Sequence, residues 1–517
     1  MAAKRKTSKK NAILKAQQLQ VNKGIDSAIK LARQCSIFEL AYFVHELHVI
    51  RLIDHFEPAK NPLRPSVKAV YAHSIDDATK YILALVAKYG RASATIEDWE
   101  KEFQLSGDLY QRLQRLTIEI NRKDEVRALI NLFKCEYNEA TKGLRIDMSA
   151  ASEDSEIRTY FEYFQRVDTD NDVAKLNVLG IEQLKQFFIQ QYSDVQEEFL
   201  SVFGVDVGAF FDFNIELAEM AGEALTARAA KCEYLSEGVI NMQAAKTVKA
   251  LSRAFFFNKA DIRKRFAKWN DTLDKMILKI GEFDPYEIRF HAISRNPIIE
   301  YGDYFAISPE LLVDSLFINC HYALIEAKAT KQSYMAKRAS SFLDEISDAA
   351  KPYGFHEIKR EFDLYEGKRN LGDIDLILEN AAGFVILIEA KNHMLPLSVY
   401  FKDMKKTRDH LSYLKAEWEV KVLRRVEYLR KNHAAEGIGN DYKYILITRF
   451  PEIISHFSSL LAMSLQEFKW WLQGGCKQES FADLFRDVSS LKGFQFTPEE
   501  MESMRSDGII TGHFSKY

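Results

Sequence analysis

Between Gly372 and Asn392 the chain reads GDIDLILENAAGFVILIEAKN, two runs rich in Ile, Leu and Val on either side of Asn380-Ala-Ala-Gly383. Such a stretch predicts a β-hairpin closed by a loop of about four or five residues. Side chains alternate across a strand, so Glu389 and Lys391 share one face of the second strand while Ile388 and Ala390 point the other way. A register that sets Asp375 opposite Glu389, with Asn380 to Phe384 as the loop, brings two carboxylates and an ammonium group onto one patch of sheet. Facing carboxylates repel unless a cation lies between them, and Lys391 meets that need only in part. A hard divalent cation such as Mg²⁺ or Mn²⁺, which prefers oxygen ligands, would meet it. The flanking LIL and VILI imply a buried hairpin, and buried charge needs a reason.

At 517 residues the chain exceeds the usual size of one core, so two or three domains are expected. With 47% apolar and 28% charged residues, its bulk is neither disordered nor fibrous. A net charge of −3 leaves no overall nucleic-acid footprint, so any basic surface has to be local. Cys35, Cys135, Cys232, Cys320 and Cys476 are odd in number and form no CxxC pair, which points to reduced thiols and away from a disulfide framework or zinc site. No apolar run reaches membrane-spanning length, and the basic start MAAKRKTSKK lacks the apolar stretch of a signal peptide. A cytoplasmic protein with no membrane association is therefore expected.

Residues 1–21 read as a basic flexible arm, carrying Lys4, Arg5, Lys6, Lys9 and Lys10. Residues 22–285 read as a large all-α region, without proline between Pro65 and Pro285 and with a division near 149–156, where SAASEDSE is polar. The histidines of HELH near His45 are three apart, not the four of a zinc-protease helix. Asp168, Asp170 and Asp172 resemble the start of a calcium-binding loop, but Val173 and Leu179 occupy its glycine and glutamate positions. Arg253 to Asn270 interleaves six basic residues with Phe255, Phe256, Phe257, Phe266 and Trp269. It reads either as an amphipathic helix with a core-facing aromatic side or as a grip on a nucleic-acid strand.

Residues 286–330 read as a hairpin around Gly302-Asp303 followed by a helix capped by Ser308, with Pro309 in its first turn. Glu326 and Lys328 repeat the E-x-K spacing there, but on a helix such residues do not face one another. Residues 331–475 follow the order helix, strand, strand, strand, helix, strand, helix, with Ile358, Phe362 and Leu364 on one face of the first strand. The stretch Leu397 to Asn432 is basic, with ten Lys or Arg against five Asp or Glu. Residues 476–517 form a C-terminal extension.

Asp375, Glu389 and Lys391, in this order of elements, resemble the PD-(D/E)xK nuclease superfamily, and most closely its Mrr-type and resolvase-like branch, with GxID before an apolar strand ending in E-x-K. The resemblance covers the C-terminal part alone. Ile374 stands where the family name has Pro, Leu343 follows Phe342 where relatives often have Glu, and Asp409 precedes Tyr413 where exonuclease-type members have Gln. The resemblance implies an α+β chain in which a large all-α N-terminal region precedes an α/β restriction-endonuclease-like (αβββαβ) domain. It implies Asp375, Glu389 and Lys391 as catalytic residues, and Mg²⁺ or Mn²⁺ held by Asp375, Glu389 and the Ala390 carbonyl, with Glu345 or Asp373 as a further ligand. Lys402, Lys405, Lys406 and Arg408 are phosphate-contact candidates. The expected activity is a metal-dependent nuclease, endonucleolytic and acting on DNA more than RNA, of the kind used in bacterial restriction or anti-phage defence. A partner protein held by the helical region and self-association are further expectations. The rival expectation is a catalytically silent nuclease-like fold that binds nucleic acid or protein.

Overall fold

The computed structural model describes residues 2–47, 67–138, 143–151, 160, 181–229, 240–392, 395–396, 399, 404–484 and 514–515, except positions 94, 105, 287 and 289–291. Contacts divide the chain into two units, one comprising Met1–Asn61, Pro65–Arg127 and Leu176–Tyr334, the other Pro62–Arg64, Ala128–Lys175 and Met335–Tyr517. The architecture is α+β: mostly helical in the N-terminal and central parts, with a smaller mixed sheet toward the C-terminus.

The first unit is built from helices such as Ala2–Ala32, Val67–Tyr89, Ile181–Tyr192, Val207–Ala229 and Pro309–Glu326. Phe38 anchors one core, its ring 4.8 Å from that of Phe256 and 5.5 Å from that of Tyr301. A second core gathers Phe188, Phe199, Phe203 and Phe210. Strands Ile298–Tyr301 and Tyr304–Ile307 close on Gly302, whose φ of +51° suits a glycine. Among the described residues, no helix is long and apolar enough to cross a membrane.

Three sequence expectations are corrected. The basic arm is no separate element, since one helix runs from Ala2 to Ala32; its Ala, Lys, Gln and Leu content favours helix, and no glycine or proline interrupts it before Gly24. The region 22–285 is not all-α. Phe133–Asn138 and Gly143–Ala151 pair as antiparallel strands, where Phe133, Cys135 and Tyr137 alternate with polar residues at the period of a strand. The segment Arg253 to Asn270 is not one helix, because a strand at Phe256–Asn258 joins the Tyr304–Ile307 edge. Its aromatics are core: Phe255, Phe256, Phe266 and Trp269 are buried, and Arg253, Lys259 and Arg263 pair with Glu100, Glu300 and Asp274. The aspartates at 168, 170 and 172, His48, His55 and residues 152–156 lie outside the described residues.

The second unit centres on a five-stranded sheet. Helix α1 (Lys331–Ala350) leads into β1 (Phe355–Glu366), β2 (Arg369–Asn380) and β3 (Val385–Lys391), a fully antiparallel run. Helices α2 (Met404–Leu414) and α3 (Val420–Asn432), joined by a π-helical turn at Lys415–Glu419, then cross to β4 (Tyr442–Thr448), which pairs parallel with β3. Strand β5 (Leu461–Ser464) adds to β4 in parallel and leads into α4 (Leu465–Gln473), so the strand order is β5-β4-β3-β2-β1. A parallel neighbour requires a crossover connection, and α2–α3 supplies it.

Both faces of this sheet are covered. Leu376, Leu378, Ile386, Ile388, Ile445 and Ile447 pack with Phe342 and Ile346 of α1 and with Phe468 and Trp471 of α4. Ile377, Leu387, Tyr444 and Leu446 pack with Leu414, Trp418, Val422 and Leu429 of α2–α3. Strand β1 departs from the regular face expected of it. A bulge falls at Ile358, which is exposed while Leu364 is buried, and Glu361 adopts a left-handed φ of +51°.

Candidate active site

The hairpin register is fixed by Leu376 opposite Ile388 and Glu379 opposite Val385, leaving Asn380 to Phe384 to turn the chain. Asn380 shapes the turn through its side chain, whose Oδ1 accepts the Ala382 and Phe384 N–H groups. Continued by one residue, this register sets Asp375 against Glu389 at the end of the ladder. There Asp375 Oδ2 accepts the N–H of Ala390 at 2.6 Å, a side chain replacing the next backbone bond. Asp375, Glu389 and Lys391 therefore stand on the face covered by α2–α3, just past the apolar part of the sheet.

Glu389 is the most engaged of the three. Arg425 Nη1 of α3 lies 2.9 Å from its Oε2, with only 5% and 12% of the two side chains exposed. Trp418 Nε1 donates to Oε1 at 3.2 Å, and the Tyr444 hydroxyl lies 3.5 Å from Oε2. The π-helical turn contributes here. Its wide turn directs Trp418 at Glu389, while the next residue, Glu419, accepts the Ser459 N–H and Ser458 hydroxyl of the loop before β5. The Lys391 ammonium lies 5.4 Å from the ring centre of Trp418 and 5.7 Å from that of Tyr413.

The electrostatics follow from this crowding. Burial, and then the charge of Glu389, push the Asp375 carboxyl up to about 7. Burial also raises Glu389, and Arg425 opposes that rise. Burial lowers Lys391, while Glu389 and Glu452 favour its charged form. Asp373 adds negative charge to both carboxyls, which places it beside the pair.

The other expected residues fall as follows. Glu345 sits on α1, which covers the opposite face, and is paired with Arg449 at 2.9 Å. Lys402 lies outside the described residues; Lys405, Lys406 and Arg408 are on α2, the last two exposed. Among the described residues, no group of three or more His, Cys, Asp or Glu side chains is placed to hold a metal ion. Two carboxylates remain, a number that suits Mg²⁺, which commonly takes one or two and completes its shell with water and phosphate. The hard oxygen donors, with both carboxyls raised by burial, fit such an ion.

Sequence reasoning missed Arg425, Trp418, Tyr444 and a buried pair in which His410 Nε2 lies 3.1 Å from Glu452 Oε2. One signal was present for Arg425. It falls in the helical stripe Leu414, Trp418, Val422, Leu429, and a cation in an apolar stripe implies a buried anion. The guanidinium also lies over Gly372, whose φ is +97°; an added Cβ would stand 3.7 Å from its Cζ. That contact is tolerable, but the backbone is not one for an L-residue. Gly372→Ala is expected to lower stability by about 1–2 kcal/mol, read as a shift of the urea midpoint at constant slope.

Comparison with protein-family models, with curated proteins and with solved structures finds no match to this chain.

Proposed function

We propose that the chain is a Mg²⁺- or Mn²⁺-dependent nuclease with a restriction-endonuclease-like C-terminal domain, hydrolysing phosphodiester bonds of DNA endonucleolytically. The observation that carries this reading is the hairpin end, where Asp375 and Glu389 meet on one face beside Lys391 with both carboxyls raised by burial. Asp375 and Glu389 would hold the ion, with the Ala390 carbonyl beside them and Asp373 as the nearest further carboxylate. Such an ion supplies Lewis acidity and lowers the pKa of a bound water. Lys391 orients the attacking water and offsets charge developing on the phosphoryl oxygens. Burial favours its neutral form, and the neighbouring carboxylates oppose that. Arg425 and Trp418 fix the Glu389 carboxylate, so its orientation is set before substrate arrives. Lys406 and Arg408, exposed on α2, are candidates to meet flanking phosphates. A role in restriction or anti-phage defence is an analogy of architecture.

A second reading is favoured by one feature. Arg425 already neutralises Glu389, and no third carboxylate, histidine or cysteine joins the pair among the described residues. A binding module that keeps the fold without turnover would look the same there. Plasmid cleavage in Mg²⁺, Mn²⁺ and EDTA, with the parent, Asp375→Ala and Lys391→Ala, separates the two. Metal-dependent cleavage by the parent, lost in both variants, is expected; equal activity in all three proteins sinks the nuclease assignment. An inactive parent that takes up no Mn²⁺ in a calorimetric titration establishes the second reading.

A further inference from the structure

We propose that Tyr413 is a stacking platform for an unpaired nucleobase at the mouth of the Asp375–Glu389–Lys391 site, so that the site takes a single strand or a locally opened duplex. The inference rests on the nuclease reading for the identity of the ligand, and on the placement of one ring for the rest. Along α2 and the π-helical turn, Leu414 and Trp418 are buried against the sheet, whereas Tyr413 is 55% exposed. A single exposed aromatic is ordinary on a protein surface. This one is distinguished by its neighbour: its ring centre is 5.7 Å from the Lys391 ammonium, which Trp418 flanks at 5.4 Å.

An exposed aromatic face beside ammonium groups is the chemistry of a nucleotide, a π-surface linked to an anion. Lys391 meets the phosphate, as does Lys421, whose positive charge already acts on Lys391. Its side chain is 57% exposed on the first turn of α3, in a solvent-facing pair with Glu417 at 3.3 Å that a phosphate would have to displace. Tyr413 meets the base. Aromatic stacking tolerates every base because each has a π-face, so the contact adds affinity without sequence preference. A base inside a duplex has both faces covered by its neighbours, and only an unpaired or extruded one can lie on the ring.

The test is read in EDTA, where no cleavage occurs, with the full chain and fluorescence anisotropy of labelled DNA. Three probes are compared at low ionic strength: a single strand, the same strand with abasic positions, and its blunt duplex. Wild type is expected to bind the intact strand most tightly. Tyr413→Ala weakens that binding roughly tenfold to a hundredfold, as loss of one stacked base does, while Tyr413→Phe, which keeps the ring, stays within about twofold. The abasic strand binds wild type as weakly as the intact strand binds Tyr413→Ala. Because Tyr413 is exposed, both variants keep the wild-type circular dichroism and melting temperature. Equal affinity for intact and abasic strands, an unchanged Tyr413→Ala, or no binding of any strand overturns the proposal. An inactive parent in the cleavage assay, with the stacking pattern intact, overturns only the nuclease reading. An RNA strand of the same sequence, run in parallel, is expected to show the same dependence on Tyr413, since the ring reads the base and not the sugar.

Discussion

Replacing Arg425 by alanine is expected to cost the C-terminal unit about 3–5 kcal/mol, because it strands a carboxylate that folding has taken out of water. The two side chains are almost fully buried, and among the described residues Glu389 keeps the neutral donors Trp418 and Tyr444 once the guanidinium is gone. Neutral hydrogen bonds do not replace a full opposite charge. The loss should shrink at low pH, where Glu389 can take up a proton and so shed the uncompensated charge. Removing both partners is a different case. Glu389→Met with Arg425→Met replaces the pair by apolar groups of similar volume, and such swaps are often neutral or stabilising. Hydrogen exchange of the β2, β3 and β4 amides reads these changes within the sheet itself. A double variant no more stable than Arg425→Ala alone would show that the pair holds α3 to the sheet by shape and not by charge.

What the sequence made legible is the part where local and tertiary preferences agree. LIL and VILI are β-branched and apolar runs with a two-residue period of charge at their ends, and Asn380 and Gly383 supply the turn, the latter at a φ of +80°. The face shared by Asp375, Glu389 and Lys391 follows from that register alone. YKYILIT likewise declares a buried strand, and β4 is that strand. The losses have physical causes. Phe133–Asn138 and Gly143–Ala151 mix strand alternation with helix-forming Lys, Glu and Ala, so helix propensity was overridden by pairing. LAMS is too short to signal β5 and becomes a strand only because the β4 edge is there to receive it. In β1, no local cue announces the bulge at Ile358 or the left-handed Glu361 across from Asp375. His410 and Glu452 are far apart in sequence and meet only when α2 crosses the sheet. Arg425 was readable as a misplaced cation, but its partner was not, since a helical stripe says that an anion is needed and not where it comes from.

The second large effect is a coupling between pH and Mn²⁺. In the folded chain the Asp375 carboxyl titrates near 7, against an ordinary value of 3.8. Between about pH 4 and 7 the folded state therefore holds a proton that the unfolded state has released, and stability falls as pH rises through that window, by at most about 1.4 kcal/mol per pH unit for one such group. Glu389 is shifted in the same direction and adds to the slope. An ion held by the two carboxylates reverses the sign, because it binds the deprotonated pair and competes with the proton. At pH 8, Mn²⁺ at about a hundred times its dissociation constant should stabilise the chain by about 2.7 kcal/mol. At pH 5.5 most of that gain should vanish, since a proton must leave before the ion can enter. Asp375→Asn should reduce the pH dependence in EDTA to the part that Glu389 contributes and abolish the Mn²⁺ shift, whereas Tyr413→Ala should change neither. Scanning calorimetry at the two pH values, with Mn²⁺ or EDTA, measures all four cases. A Mn²⁺ shift of equal size at both pH values, or one that survives in Asp375→Asn, would place the ion somewhere other than the end of this hairpin.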